Sequence, residues 1–480
     1  MRRFFVDVSA WGLSVVLLTM AATSVFAQTG AARGSLPQTQ ATPAAPAVVA
    51  PSPSATLAAG GDAATLYEDA SKYVERKFEE YRQNRMPFSR ALATETFGQQ
   101  RELAARHAAQ LVARGGLVGT DHYYLGLLYN LAEKSSETIE SLRHFLAQQP
   151  PDTKADTKAD AKVDAKAGTK DQRQNARLIL GTEVALLSRF AEAESVLAEY
   201  ARSDPATPQG LFKLHFTLAR AYSKNKKIME SAAHARTAFK VAKESPVVAG
   251  EESDRAKIIG SAAEFLADAL LSLKKEREAA ALMEELLRLG LALPSAQVFT
   301  IAARWLAENE QAELIESVLA ETPPENVPPA PEINIAEWID QKPLKLADLR
   351  GRVVLLDFWA TWCAPCRFTM PKLKTLHERF KKDGLVVVGL TQFFGREGKT
   401  VLTQPEELAS LRAYKKELKL PYPFAVALDS DNDERYGVRS LPTAFLLDRR
   451  GRVRYIAVGA SSAHDDELAD TIKRLLAEQP

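Results

Sequence analysis

"VVLLDFWATWCAPCR", residues 353–367, decides the fold of the C-terminal third of this chain. A nearly continuous apolar run, 353–360, ends at a turn and passes straight into "CAPCRFTMPKLKTLHERFKKDG", 363–384, whose spacing is helical. This is the pattern of a buried strand feeding a helix. "LVVVGLTQ", 385–392, is a second buried strand. Strand, helix, strand demands a parallel pair with a crossover. Working outward, "PEELASLRAYKKELKL" (405–420) reads as a helix and "FAVALD" (424–429) as a strand. "TAFLLDRRGRVRYIAVG" (443–459) reads as a hairpin turning at Arg449-Arg450-Gly451. A helix from about His464 closes the chain, and "INIAEWIDQKPLKLADLRGR" (333–352) supplies a strand, a turn and a short helix in front.

The quoted stretch also holds both cysteines of the 480-residue chain, Cys363 and Cys366. A helix N-terminus carries partial positive charge and unpaired N–H groups, which stabilise a thiolate and lower its pKa. Cys363 is therefore expected to be the exposed attacking thiol, forming a mixed disulfide with a target. Cys366, one helical turn on and less exposed, is expected to resolve it. Positions three apart on a helix are close enough to bridge. Pro365 removes an N–H that has no helical partner so early in the helix. Structural zinc needs about four ligands, and neither a second Cys-X-X-Cys nor nearby histidines are present, so no metal is expected. Inert buried thiols and a single peroxidatic cysteine are the remaining alternatives. His377 and His464 belong to no such constellation and are expected on the surface.

"VVLLDFWATWCAPCR" followed by "LPTAFLLDRRG" (441–451) resembles a thioredoxin-fold oxidoreductase, and specifically the exported TlpA/ResA-type (redoxin, AhpC/TSA-like) subfamily, over about residues 329–480. Residues 391–420 are similar to that subfamily's extra segment between strand and helix. The resemblance implies a thiol-disulfide oxidoreductase needing no cofactor beyond a redox-active Cys363–Cys366 disulfide, and more often a reductase than an oxidant. It implies Asp357 as a buried proton acceptor near Cys366, Trp362 packing beside the site, and Pro442 as a cis-proline presenting the Leu441 backbone to substrate. Two departures stand out. The lysine that thioredoxins place on the neighbouring strand has no counterpart in "LVVVGLTQ", and Thr369 stands where ResA-type proteins carry a glutamate. Pro371 implies a kink in the active-site helix. The peroxiredoxin pattern upstream of a peroxidatic cysteine is not seen in "FWATWC".

The rest of the chain reads as a different class. Arg2 and Arg3, the apolar stretch Trp11–Met20 and the small residues around Ala27 form an export signal, residues 1–27, or an uncleaved N-terminal anchor. The expected location is extracytoplasmic, the bacterial periplasm. Residues 28–62 are an Ala/Pro-rich tether. Residues 63–321 are helical, with small and large residues at the spacings of a tetratricopeptide repeat: Leu125, Gly126, Tyr129, Leu142 and Phe145, then Leu180, Gly181, Ala193, Leu197 and Tyr200. Looser copies follow near Leu218 and Leu266. Glycine there lets two helices approach closely. Residues 151–171 are a solvated Lys/Asp insertion. Residues 322–332, "TPPENVPPAPE", are a proline-rich joint, stiff and extended, before a domain at 333–480. A formal charge of +1 with 26% charged residues excludes a nucleic-acid-binding surface built on net charge. The expected fold is thus an all-α repeat region followed by an α/β thioredoxin-like domain. Expected partners are disulfide-bearing client proteins, a membrane electron donor for re-reduction, and a peptide or protein on the helical repeats. The alternative is a repeat scaffold whose last domain is a redox-responsive docking module, or a thiol-peroxidase-like protein.

Overall fold

The computed structural model describes residues 61–84, 86–148, 168–246, 252–398 and 400–478. The export signal, nearly all of the tether and residues 151–167 of the charged insertion lie outside the described residues. The chain divides into two compact units, Met1–Ala176 and Arg177–Pro480.

Among the described residues up to 320 the regular elements are all helices: α1 Ala63–Ser71, α2 Tyr73–Gln83, α3 Arg90–Arg114, α4 Thr120–Leu131, α5 Ser135–Ala147, α6 Lys170–Leu186, α7 Phe190–Arg202, α8 Pro208–Lys224, α9 Ile228–Glu244, α10 Glu252–Ser272, α11 Glu276–Ala292, α12 Ala296–Glu308 and α13 Ala312–Ala320. Five hairpins, from α4/α5 to α12/α13, reverse with the same turn. One residue takes the left-handed conformation: Glu133, Ser188, Lys226, Lys274 and Glu310, with φ between 57° and 60°. The next N–H reaches back five residues, as in Lys134 to Tyr129, Lys227 to Tyr222 and Gln311 to Leu306. This is the Schellman way of ending a helix, usually made with glycine. Here it is made without one. The glycines serve packing instead. A methyl group on Gly126 would lie 2.5 Å from Leu142 of α5, and one on Gly181 would lie 2.7 Å from Leu214 of α8.

The second unit continues with β1 Glu337–Ile339, β2 Val353–Phe358, α14 Ala364–Phe380, β3 Leu385–Gln392, β4 Arg396–Glu397, β5 Thr400–Val401, α15 Gln404–Glu417, β6 Phe424–Ala427, α16 Asp431–Arg435, β7 Thr443–Leu447, β8 Val453–Val458 and α17 Ser462–Ala477. The main sheet has the order β1-β6-β3-β2-β7-β8. β2, β3 and β6 are parallel, β7 and β8 form the antiparallel hairpin, and β1 pairs antiparallel with β6. This is a thioredoxin fold, and it contains the parallel β2–β3 pair and the β7–β8 hairpin expected from sequence. β4 and β5, a two-residue ladder, were not anticipated.

All six residues of β2 are buried, so both sheet faces are covered. Alternate residues go to opposite faces. Val353 and Leu355 pack with Met370, Leu373 and Leu376 of α14 and with Ile472 of α17. Val354, Leu356 and Phe358 belong to a second cluster with Val388, Leu390, Phe445 and Ile456, and that cluster continues into Leu286, Phe299, Ala302 and Trp305 of α11 and α12. From the C-terminal part of the chain the 3₁₀ turn at Leu346–Leu349, Tyr436 and Val438 join this cluster. Helices α11 and α12 cover it further.

Residues 322–332, read from sequence as a joint, run as a strap fastened along its length. The buried Arg454 donates to the Glu321 carbonyl at 3.0 Å, and Arg452 to the Pro323 carbonyl at 2.9 Å. The Ala330 N–H donates to Gly451 at 2.8 Å. The Glu332 carboxylate accepts from the N–H groups of Leu346 and Ala347, each at 2.7 Å. Both arginines are neutralised, Arg452 by Asp448 and Arg454 by Glu478.

Candidate active site

β2 ends at Phe358, and α14 begins at Ala364 with Cys363 as its N-cap. The Cys363 Sγ accepts a hydrogen bond from the Cys366 N–H at 3.2 Å. A sulfur there occupies the place where a helix offers its free N–H groups. Pro365 is exposed and sits in the first turn, where a missing N–H costs nothing. Pro371 lies within the helix. Cys363 and Cys366 are joined as a disulfide, with Cα atoms 5.4 Å apart.

The exposure of the pair differs from the sequence expectation. Cys363, expected to be exposed, is 4% accessible and Cys366 is fully buried. Cys363 is the more accessible of the two but belongs to the apolar cluster containing Trp359, Ala360 and Met370. Bonded to a buried partner, its side chain turns inward. The surface beside it is made by other residues: Trp362 is 58% exposed and Phe368 73%. The ring of Trp362 meets that of Phe394 edge-on at 5.5 Å.

Beneath the pair, Asp357 is buried on the α14 side of β2. It faces Gly389 of β3 and Ala444 of β7 across the sheet. Gly389 thus occupies the neighbouring-strand position where no lysine was found. A small cavity of about 30 Å³ opens beside Asp357, lined also by Thr369, Leu373, Pro442 and Gly459. That is room for a water molecule. Of its lining residues Asp357 alone ionises. Thr369 spends its hydroxyl on the Cys366 carbonyl at 3.0 Å. Burial pushes the Asp357 carboxyl up to about 8, and its Oδ2 is buried without a hydrogen-bond partner. The Leu441–Pro442 peptide is cis, and Pro442 is buried with its carbonyl accepting from Gly459 at 2.8 Å. The structure therefore brings Asp357, Thr369 and Pro442 around one space, and Thr369 links that space to Cys366 through its hydrogen bond to the Cys366 carbonyl. Leu441 is partly buried, while Trp362 and Pro365 lie on the outer side.

One residue near the site was not singled out from sequence, and a second is less exposed than expected. Tyr422 is buried with an unpartnered hydroxyl; burial, with a smaller contribution from Asp357, pushes its acidity far down. His377, expected at the surface, is partly buried with its ring 6.1 Å from that of Tyr422. A tyrosine two residues before a strand carries no distinguishing signal in the sequence. Among the described residues no cluster of three or more metal-ligating side chains occurs, and no helix is long and apolar enough to cross a membrane.

Known proteins match this part of the chain. The AhpC/TSA family profile covers residues 328–456. A thiol-disulfide oxidoreductase ResA of Bacillus cereus is 27% identical over 185 residues, which is 38% of this chain and 91% of the relative. The ResA of Bacillus thuringiensis subsp. konkukian is 30% identical over 137 residues, 28% of this chain and 71% of the relative. Among solved structures, a putative thiol:disulfide interchange protein DsbE from Chlorobium tepidum is 31% identical, covering 31% of this chain and 96% of its own, with a TM-score of 0.25.

Proposed function

This chain belongs to the ResA-type thiol-disulfide oxidoreductases, and we propose that it works outside the cytosol as a protein-disulfide reductase with Cys363 as attacking thiolate and Cys366 as resolving thiol. The observation that carries this reading is the Cys363–Cys366 bond at the head of α14, a helix whose Thr369 lines a cavity with Asp357 as its one ionisable wall.

In the reduced protein the Cys363 thiolate, stabilised by the free N–H groups of the first turn, attacks a client disulfide. One client sulfur leaves as a thiolate, and the other is held on Cys363. Asp357, as carboxylate, takes the proton of the Cys366 thiol, directly or through water in the cavity. The Cys366 thiolate then displaces the second client sulfur and closes the Cys363–Cys366 bond. Two electrons have passed to the client. An external reductant, read here as a membrane electron donor, restores the dithiol. The basic residues and apolar run of 1–27 support export. The stacked helices α7 to α13 of the second unit support a second role, holding a client protein as tetratricopeptide arrays do.

A Cys366→Ser variant tests the order of events. It should accumulate a mixed disulfide between Cys363 and a client, released by dithiothreitol. A covalent adduct that instead forms on Cys366 in a Cys363→Ser variant reverses the assignment.

Asp357 yields a prediction of definite sign. Its folded pKa of about 8 lies above the ordinary value of 3.8. Between those values the folded state keeps a proton that the unfolded state has lost, so stability falls as pH rises from about 4 to about 8. Asp357→Asn removes that loss. The variant should match the parent near pH 4 and melt progressively higher than it up to pH 8, with a plateau beyond. Full burial sets an upper bound of several kcal/mol on the difference. The same variant should lose the rise in resolution rate centred near pH 8. Paired thermal melts and stopped-flow rates across pH 4–9 check both. Identical melting curves for the two proteins would refute the burial of an uncompensated carboxyl.

A further inference from the structure

Beyond the two cysteines, the site is bordered by the segment 393–403, which carries β4 and β5 and places Phe394 against Trp362. At Phe394 and Gly395 a single side chain holds this segment down. Glu407 lies in the first half of α15 and is 6% exposed. Its two oxygens accept from consecutive backbone N–H groups, Phe394 at 2.8 Å and Gly395 at 2.9 Å. A carboxylate buried to this degree is costly unless hydrogen-bonded, and charge-assisted bonds are the strong ones. Glu407 therefore ties the backbone at 394–395 to α15. Further along, the Leu402 N–H donates to Gly395 at 3.0 Å, and Ser410 donates to Glu397 at 2.8 Å. At its start, the Phe393 N–H donates to Ala427 of β6 at 3.0 Å. Glu406, the preceding residue, makes the ordinary cap of α15 through Thr403, so Glu407 is not needed for that task. With the loop pinned, the ring of Phe394 stands edge-on to Trp362, the residue before Cys363.

We propose that Glu407 is a positioning residue that sets the client specificity of the site, by holding Phe394 against the exposed Trp362 so that the two rings form one aromatic surface for a polypeptide segment with an apolar side chain flanking its disulfide. This rests on the reading of the chain as a protein-disulfide reductase. Glu407 touches neither sulfur and takes no part in electron or proton transfer. It acts through the position of Phe394.

The full-length protein and its Glu407→Gln and Phe394→Ala variants test this with two oxidants, insulin as a protein disulfide and 5,5′-dithiobis(2-nitrobenzoate) as a small one. Glutamine can accept from only one of the two N–H groups, so the loop is released. Both variants should raise KM for insulin roughly tenfold, the effect of losing about one charge-assisted hydrogen bond or aromatic contact. The kcat for insulin and the rate with the small disulfide should stay within about twofold. An unchanged KM in either variant overturns the proposal. So does a parallel fall with both oxidants, which would make Glu407 a fold-supporting residue only. If the parent protein reduces neither oxidant, the reductase reading itself fails, and that outcome is separate from the other two.

Discussion

Cys363→Ser should abolish disulfide reduction by this protein, lowering the rate with insulin by roughly three orders of magnitude or more, as loss of an enzyme's nucleophile does. The reason lies in where the sulfur sits. As N-cap of α14 it receives the Cys366 N–H at 3.2 Å, and it is the less buried sulfur of a pair whose second member has no exposure. A serine hydroxyl can cap the helix equally well, so the fold should survive. It cannot form a thiolate or a disulfide. Circular dichroism and melting temperature should stay close to the parent while turbidity in the insulin assay stays flat. Folded protein with retained activity would remove the dithiol from the mechanism. Activity lost together with the melt would show that the bond is structural.

The second large effect concerns helices α11 and α12. Residues 333–480 expressed alone should fail to fold. The sheet face bearing Val354, Leu356, Phe358, Val388, Leu390, Phe445, Leu447 and Ile456 is continuous with the core of α11 and α12. Backbone bonds reinforce this: the Ala296 N–H donates to Tyr436 at 3.0 Å and the Gln297 N–H to Gly437 at 3.1 Å. Gly437 packs so tightly on Ser295 that an added methyl would lie 2.6 Å from its hydroxyl. Burying an apolar side chain of this size contributes about 1.5–3 kcal/mol. Exposure of even half of that face would match the whole stability of a typical domain, about 5–15 kcal/mol. The fragment 177–480 should therefore unfold in one cooperative melt and 333–480 should aggregate or bind a hydrophobic dye. A cooperative melt and full insulin activity from 333–480 would show that the helices merely decorate the domain.

These two effects mark what the sequence could and could not reveal. The order of strands and helices from 353 onward was legible because buried parallel strands are continuous apolar runs and their helices keep a 3.6-residue period. The Cys363–Cys366 bond, the burial of Asp357 and the cis bond at Pro442 were legible because each residue occupies a position in a short motif. The α11–α12 contact was not. An apolar β2 announces that both faces are covered but not by what, and the amphipathic stripe of α12 would look the same against another helix. Glu407 was hidden for a similar reason. Next to Glu406 in the first turns of α15 it reads as one of two acids favouring a helix N-terminus, and only the folded loop shows that its partners are Phe394 and Gly395. The form of the hairpin turns, though not their presence, escaped notice because Glu133, Lys226 and Lys274 adopt a conformation normally announced by glycine. The exposure of Cys363 was misjudged because helix position fixes the direction of a side chain, not what packs over it.

The central claim is that Cys363 and Cys366 interconvert between dithiol and disulfide while the protein stays folded. Equilibrating the native protein with graded dithiothreitol ratios, then alkylating and weighing it, tests this most directly. The account predicts a single two-electron transition in which both thiols appear together, with unchanged circular dichroism on either side. Thiols that appear only after denaturation, or a species with one thiol free across the series, would contradict it.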